Sequence, residues 1–327
     1  MNDVTRKPPK RSRSAARSGT GKYENLLASC RKLKPLTAAV AHPCEDSALA
    51  AAVEAAQSGL IEPILVGPAD KLADIARRRK LDLTPYAIVD VPHSHAAAAK
   101  AVELVRSGHA DILMKGSLHS DEFLGAIIAR ETGLRTGRRL SHVFIMDVPG
   151  YHKVFMITDA AINIAPDLDA KADIVQNAID LAVALGVKQP KVAILSAVET
   201  VTLKIPSTID AAALCKMAER GQIRGGLLDG PLAFDNAISK QAAKTKGIVS
   251  AVAGDVDILL APDLEAGNML AKQLSFLAHA DSAGVVLGAR VPVVLTSRAD
   301  SVRARLASVA VAVRMVYAQR MQLGGDG

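Results

Sequence analysis

The sequence predicts an α/β protein with mostly parallel sheets, and two observations support this class. Short apolar runs rich in Val, Ile, Leu and Ala alternate with longer segments of helical periodicity along most of the chain. Half of the 327 residues are hydrophobic and only 3% are aromatic, which is typical of buried parallel strands interleaved with helices. The alternation therefore predicts parallel strands joined by right-handed helical crossovers.

Each predicted element is a run of one periodicity. The apolar runs predict strands at 36–41, 63–66, 111–114, 142–146, 154–158, 192–196, 256–260, 284–287 and 293–296. The segments of helical period predict helices at 46–58, 69–79, 93–107, 121–131, 171–185, 209–220, 266–279 and 302–317.

The alternation is interrupted once, at Pro149-Gly150, which a further strand follows. This pattern predicts a hairpin. An antiparallel strand pair midway through an otherwise parallel arrangement indicates a second lobe. We expect residues 23–140 together with 285–327 to form the first α/β lobe and residues 141–284 the second.

The basic charge is concentrated at the N-terminus. Residues 1–22 carry seven Lys and Arg against Asp3, and so account for +6 of the net charge of +7. This Ser-, Pro- and Arg-rich stretch is predicted to be a disordered tail. The remaining chain is almost neutral, which argues against a nucleic-acid partner, and the few aromatic residues argue against single-strand or carbohydrate binding.

Other function classes lose support from missing motifs. The three cysteines are widely spaced, and neither a disulfide framework nor a zinc site is expected. There is no P-loop, no glycine fingerprint for dinucleotides after a strand, and no nucleophile elbow. Without a signal peptide or a membrane-length apolar stretch, we expect a cytoplasmic protein that does not bind membranes.

The run Val291 to Ser301 carries the strongest local signal. A short apolar strand ends in Ser297, Arg298 and Asp300, directly before a helix. Ligands of open α/β sheets bind where strands end and helices begin, and a guanidinium with a hydroxyl suits a phosphate. Asp300 could act as a base or cap the helix.

Two further segments could hold anions. Lys115 and His119 follow a predicted strand and precede a helix, so that backbone N–H groups lie near a positive charge. The same residues also fit a strand end followed by a capped helix without a ligand. Arg135 and Arg138 form part of a loop cluster between glycines, and such clusters either hold phosphates or are solvated.

Polar residues also follow strands later in the chain. Asn163 lies in a polar loop after the strand at 154–158, and Asp229 lies in a Gly-Pro stretch predicted to turn. Asp263 opens a helix that includes Asn268; an acidic residue there could bind a ligand or satisfy first-turn amides. Several polar strand exits without a metal cluster suit a large phosphate-bearing substrate.

As a set, these sequence motifs resemble the phosphate acetyltransferase/phosphate butyryltransferase family, and their residues are closer to those of its butyryltransferase-like branch. They occur in family order over residues from about 23 to 320. The strings are Met114-Lys-Gly116, Gly133-Leu-Arg-Thr-Gly137 with Leu140-Ser-His142, Thr158-Asp-Ala-Ala-Ile-Asn-Ile-Ala-Pro166, Asp229-Gly-Pro231 with Phe234-Asp-Asn-Ala237, Pro262-Asp-Leu-Glu-Ala-Gly-Asn268 and Leu295-Thr-Ser-Arg-Ala-Asp-Ser301.

The resemblance implies reversible transfer of a short acyl group, acetyl or butyryl, from acyl-CoA to phosphate, giving acyl phosphate and coenzyme A. It implies two α/β lobes with an active-site cleft between them, an isocitrate dehydrogenase-like architecture, and a homodimer without metal or redox cofactor. Ser297 and Arg298 carry over as the active-site pair, with Arg298 on the phosphoryl group and Ser297 on the reacting oxygens or the thiol.

Two departures from the acetyltransferase pattern keep alternatives open. Ala304 stands about where that branch has its presumed catalytic acid, which leaves Asp300 as the nearby acid. Where that branch has an arginine, this chain has Leu124-Gly-Ala126, so Arg135 or Lys115 would supply the charge. The alternatives are a metal-dependent decarboxylating dehydrogenase on the same scaffold and a non-catalytic sensor of coenzyme A or acyl phosphate.

Overall fold

A computed structural model of the protein describes residues 21–296 and 300–324, and within these ranges the chain forms an α/β fold. The strands are β1 Leu36–Ala41, β2 Ile61–Val66, β3 Ala87–Val89, β4 Ile112–Lys115, β5 Ser141–Asp147, β6 Phe155–Thr158, β7 Lys191–Leu195, β8 Leu227–Leu232, β9 Ile258–Leu260, β10 Asp281–Leu287 and β11 Val293–Val294. The helices are α1 Lys22–Cys30, α2 Asp46–Gln57, α3 Ala69–Arg79, α4 Ser94–Arg106, α5 Ser120–Ile128, α6 Leu168–Ala184, α7 Pro206–Glu219, α8 Phe234–Ile238, α9 Lys240–Thr245, α10 Leu264–Phe276 and α11 Val302–Gly324.

The strands form one mixed sheet in the order β3-β2-β1-β4-β11-β10-β5-β6-β9-β7-β8. The first five strands of this order run parallel to one another, and so do the last four. Between these groups β10 and β5 pair antiparallel with each other and with their outer neighbours. The two parallel groups therefore point in opposite directions, and their carboxyl ends lie at opposite ends of the sheet.

The antiparallel centre contains the predicted hairpin. Phe144 pairs with Ile157 across β5 and β6, and the chain turns at Pro149-Gly150. The prediction of a hairpin is confirmed. The two-lobe division stays a prediction; its boundary at 284/285 lies within β10.

Two predictions about local structure need correction. Asp229-Gly-Pro231 is not a turn but part of β8, an edge strand paired only with β7 among the described strands. An edge position tolerates Pro because one side of the strand needs no ladder hydrogen bonds. Helix α1 begins at Lys22, the last residue of the predicted tail, and Lys22 Nζ donates to Asp147 at 2.7 Å.

The apolar core is divided differently on the two faces of the sheet. On one face a single cluster runs across both strand groups and includes residues of α2, α3, α6, α7 and α11. On the other face two separate clusters occur, one with α4 and α5 and one with α8 and α10. The second face is therefore left uncovered between the two clusters, over the central strands. No helix in the described ranges is long and apolar enough to cross a membrane.

Candidate active site

A cleft of about 800 Å³ lies over the central strands, in the gap between the two helix clusters. Its walls come from the end of β4, the N-terminal ends of α5 and α11, and one side of α10. The polar residues among those that line it are Lys115, His119, Ser120, His142, Asn268, Lys272, Ser275, Asp281, Ser282, Thr296, Asp300, Ser301 and Ser308.

Lys115 is the last residue of β4 and is 6% exposed, so its charge is held at the cleft wall rather than in solvent. The next residue has to be glycine, because a Cβ on Gly116 would lie 2.4 Å from the His42 carbonyl oxygen. Ser117 also holds the chain directly after β4, because its Oγ donates to the His42 carbonyl at 2.8 Å. His119 then precedes α5 with its side chain exposed at the cleft.

His142 lies on the floor of the cleft and is 2% exposed. Its ring packs edge-on against Phe144 with centroids 4.3 Å apart, and Thr158 Oγ1 donates to its carbonyl oxygen at 2.9 Å. A Cβ on Gly284 would lie 2.8 Å from Nε2, so the glycine makes room for the imidazole. No described residue bonds the buried Nδ1. Burial lowers the pKa of His142, against the opposing field of the Asp159 carboxylate, and the ring is neutral near pH 7.

The loop after β6 is held by a buried carboxylate. Asp159 accepts the backbone N–H groups of Ala161 and Ile162 at 2.8 and 3.1 Å. It also accepts Asn163 Nδ2 at 2.6 Å, and this amide nitrogen bonds the Leu140 carbonyl as well. The predicted binding residue Asn163 thus orders the loop that carries Ala161 to the cleft.

Helix α10 contributes the opposite wall. Asn268 lines the cleft and its Nδ2 donates to the Ala160 carbonyl at 2.9 Å, which ties α10 to the loop after β6. Asp263 caps the helix by accepting the Ala266 N–H at 2.8 Å. Of the two predicted roles for Asp263, the geometry therefore supports the cap.

Residues 297–299, and with them Ser297 and Arg298, lie outside the described residues. The chain on both sides of them lines the cleft, through Thr296 and through Asp300 and Ser301. Buried Arg305 fixes the far side, since its Nε donates to the Asp300 carbonyl at 3.3 Å and its Nη1 to the Ser47 carbonyl at 3.2 Å. The predicted pair is therefore connected at both ends to cleft residues.

The remaining predicted residues lie elsewhere in the fold. Arg135 is exposed and bridges to Ala289, between β10 and β11, at the end of the sheet opposite to Lys115. Arg138 forms an ion pair with Asp180 of α6. Asp229 lies on the edge strand β8, and its Oδ1 accepts the Gly230 N–H. The structure does not bring these three to the cleft, and their role in binding stays a prediction.

Two cleft residues, Lys272 and His142, were not among the predicted site residues, and the sequence held a usable signal for the first of them. Lys272 follows Asn268 by four residues, which places both on one face of α10. His142 lies in a string that carries the family resemblance, but a histidine inside an apolar strand does not reveal that it faces a cleft.

The thiols are poor nucleophiles. Burial raises the pKa of Cys44 to about 11 and that of Cys215 to about 12, and it also raises the pKa of Cys30. All three are therefore protonated near neutral pH. In the described ranges, no group of three or more His, Cys, Asp or Glu is placed to hold a metal ion.

Comparison with known proteins connects this geometry to a family. A family model described as phosphate acetyl/butaryl transferase matches residues 73–313. A phosphate acetyltransferase of Rhizobium meliloti is 66% identical over 91% of this chain and 94% of its own length. A phosphate butyryltransferase of Clostridium beijerinckii is 41% identical over 89% of this chain and 96% of its own. Among solved structures, a branched-chain phosphotransacylase from Enterococcus faecalis is 31% identical with a TM-score of 0.75, covering 86% of this chain and 99% of that one.

Proposed function

The chain belongs to the phosphate acetyl/butyryltransferase family, and we propose that the cleft between α5 and α10 is the site of its acyl transfer. The protein is an acyltransferase that moves an acyl group between coenzyme A and phosphate. The observation that carries the proposal is the convergence of Lys115, Thr296 and Asp300 on one cavity, with Ser297 and Arg298 between the last two. The dehydrogenase and sensor alternatives find no support among the relatives.

The reaction needs positive charge and hydrogen-bond donors in one enclosed place. A phosphate oxygen attacks the thioester carbonyl, the carbon–sulfur bond breaks, and the coenzyme A sulfur leaves as a thiolate that then takes up a proton. Lys115 and Arg298 would bind the phosphate, since an ammonium and a guanidinium fork both match its oxygens. Ser297 would donate to the developing oxyanion, where one well-placed donor is worth about 3 kcal/mol.

Direct transfer between the two substrates fits the side chains better than a covalent enzyme intermediate. The protonated thiols cannot attack the thioester at neutral pH. Holding both substrates in one cleft supplies the proximity that such a reaction needs. Asp300 remains the proposed proton acceptor when the reaction runs from coenzyme A, and neutral His142 would hydrogen-bond the substrate from the cleft floor.

We propose acetyl as the preferred acyl group, because the relative at 66% identity is named an acetyltransferase and the one at 41% a butyryltransferase. The test is a thiol-release assay with acetyl-, propionyl- and butyryl-CoA plus phosphate. Acetyl-CoA should give a kcat/KM roughly 10-fold or more above that of butyryl-CoA, as expected for a pocket that rejects extra methylenes. Equal or better turnover of butyryl-CoA would contradict the acyl preference, and no thiol release with any substrate would contradict the proposed function.

The finer architecture is also a proposal. Two lobes meeting at the cleft, a homodimer and a cytoplasmic location follow from the family resemblance, and the gap between the two helix clusters supports the lobes. Light scattering at micromolar concentration should give the mass of two chains. A single-chain mass would rule out the stable dimer.

A further inference from the structure

A second cavity, of about 340 Å³, lies on the opposite face of the sheet from the cleft, between α1, α11 and the end of α6. Strand β5 separates the two: His142 and Phe144 face the cleft, whereas Ile145 and Asp147 line the second cavity, as alternating side chains must. Its volume falls in the range of small-molecule sites, about 300–1,000 Å³.

The wall of this cavity is mainly aliphatic, which suits an alkyl chain. The larger apolar residues that line it are Leu26, Ile145, Val154, Met156, Leu185, Val187 and Val311. These side chains come from helices α1 and α11, from strands β5 and β6, and from the segments next to β6 and α6. Several elements of the fold therefore build the lining together.

Most charges around the cavity are already paired. The ion pairs that involve its lining residues are Lys22 with Asp147 at 2.7 Å, Asp257 with Lys153 at 2.7 Å, and Arg303 with Asp281 at 3.2 Å and Glu24 at 3.1 Å.

Arg314 of α11 is different. It lines the cavity half-buried, and within the described residues its one hydrogen bond is a long one, from Nη2 to the Ala184 carbonyl at 3.4 Å. No carboxylate of the described residues lies within ion-pair distance of it. A guanidinium has five N–H donors, and a partly desolvated one without an anion is unfavourable.

A guanidinium with no carboxylate partner among the described residues, beside an aliphatic cavity, fits a ligand that is anionic at one end and aliphatic at the other. We propose that this cavity is a binding site for an aliphatic carboxylate, with the carboxylate on Arg314 and the alkyl chain against the aliphatic wall. The site goes beyond acyl transfer, because it uses none of the groups placed in that reaction. Ala283 and Ala304 line both cavities, so the ligand would lie directly behind the cleft.

Titration calorimetry of the full chain with butanoate, hexanoate and octanoate tests the proposal. Each added methylene should tighten binding about fourfold, the factor expected for burying one CH₂ group. Arg314→Gln should weaken octanoate binding at least 10-fold, while 1-octanol, which lacks the charge, should bind wild type and variant alike. Arg320→Gln is the matched control, since Arg320 is on the same helix but pairs with Asp111 outside the cavity.

Ala307→Leu, which adds a side chain to the cavity wall, should abolish binding of both octanoate and octanol. Octanoate binding that is independent of chain length, or unchanged in Arg314→Gln, would overturn the proposal. Thiol release by each variant is measured in parallel; Arg314→Gln should keep wild-type turnover, so failure of this proposal and failure of the proposed function give different results.

Discussion

At the scale of single residues, we expect the cations that line the cleft to bind substrates and the cations elsewhere to stabilise the fold. Lys115 is held at the cleft wall by the constrained chain after β4, and in the sequence Arg298 stands between Thr296 and Asp300, which both line the cleft. Arg138, by contrast, is paired with Asp180 at another part of the surface. We therefore expect basic residues that look alike in the sequence to have different functions, according to their place in the fold.

Arg298→Ala should lower turnover about 100-fold or more, because it removes a contact to the phosphoryl oxygens in the transition state. Arg298→Lys should recover only part of the loss, since an ammonium cannot reproduce the bidentate fork. Steady-state kinetics with phosphate varied at saturating acyl-CoA is the measurement, and Arg138→Ala is the control. If Arg298→Ala kept wild-type phosphate dependence, Lys115 would become the leading candidate for the phosphate-binding residue.

His142→Phe should lower kcat roughly 10-fold or more while leaving the chain folded, because Phe retains the buried ring but cannot hydrogen-bond a substrate. The ring packs edge-on against Phe144 and occupies the space that Gly284 leaves, so its position is set by packing rather than by the substrate. Thermal melting and the thiol-release assay are measured on the same samples. Wild-type kcat in a folded variant would show that the histidine serves packing alone.

The burial of His142 also predicts that the stability of the protein depends on pH. The pKa of His142 is lowered in the folded state, so below about pH 6.5, the usual value of histidine, the unfolded chain binds a proton that the folded chain does not. Stability should therefore fall as pH decreases from 7 to 5, by at most about 1.4 kcal/mol per pH unit from this group. Urea midpoints at pH 7, 6 and 5 should fall more steeply for wild type than for His142→Phe; parallel slopes would contradict the assignment.

At the scale of elements, the exit of β4 depends on one glycine. A Cβ on Gly116 would meet backbone atoms of Ala41 and His42 at 2.4 to 2.6 Å, and backbone cannot move aside as a side chain tip can. The glycine therefore fixes the position of Lys115 at the end of β4 and the start of α5.

Gly116→Ala should destabilise the protein by about 1–3 kcal/mol, the usual cost of overpacking. Gly125→Ala on α5 is the matched control: no atom lies within 4 Å of its Cβ position, so alanine should stabilise the helix by about 0.5–1 kcal/mol. Urea unfolding of both variants tests the pair. Similar unfolding free energies for the two would refute the role of the close approach at β4.

The elements that the sequence predicts best are those with long, uniform periodicity. Strand β1 and helix α3 have the predicted bounds, and most others differ by one to four residues. Strand β3 was missed because it has three residues, two of them exposed, and so lacks an apolar run. Strand β8 was missed because its Asp-Gly-Pro sequence is typical of a turn, and helix α1 because it adjoins the basic tail.

The candidate site was predictable only in part, for a reason of sheet order. Lys115 and Asp300 follow strands of the first parallel group, whose carboxyl ends meet at the cleft. Asp229 lies on the edge strand of the second group, and Asp263 caps α10, whose later residue Asn268 is the one that lines the cleft. The reversal of strand direction between the two groups depends on the pairing of β5 with β10, which lie far apart in the sequence, and no local pattern records it.

At the scale of the whole molecule, one face of the sheet carries a core that spans both strand groups. Because this cluster links the two groups, we expect them to lose structure together. Urea unfolding followed by far-UV circular dichroism and by tyrosine fluorescence should give coincident single transitions. Tyr23 and Tyr317 pack against this shared cluster; separate midpoints for the two probes would indicate that the groups unfold independently.

The divided face has a different consequence, which concerns movement. The cluster with α5 and the cluster with α10 share no core, so a small rotation that brings these helices together exposes little buried apolar surface. On the other face, the same rotation would bend the single core cluster that spans both strand groups. We therefore expect the two helix clusters to move towards each other when both substrates are bound, which would exclude water from the cleft during the reaction.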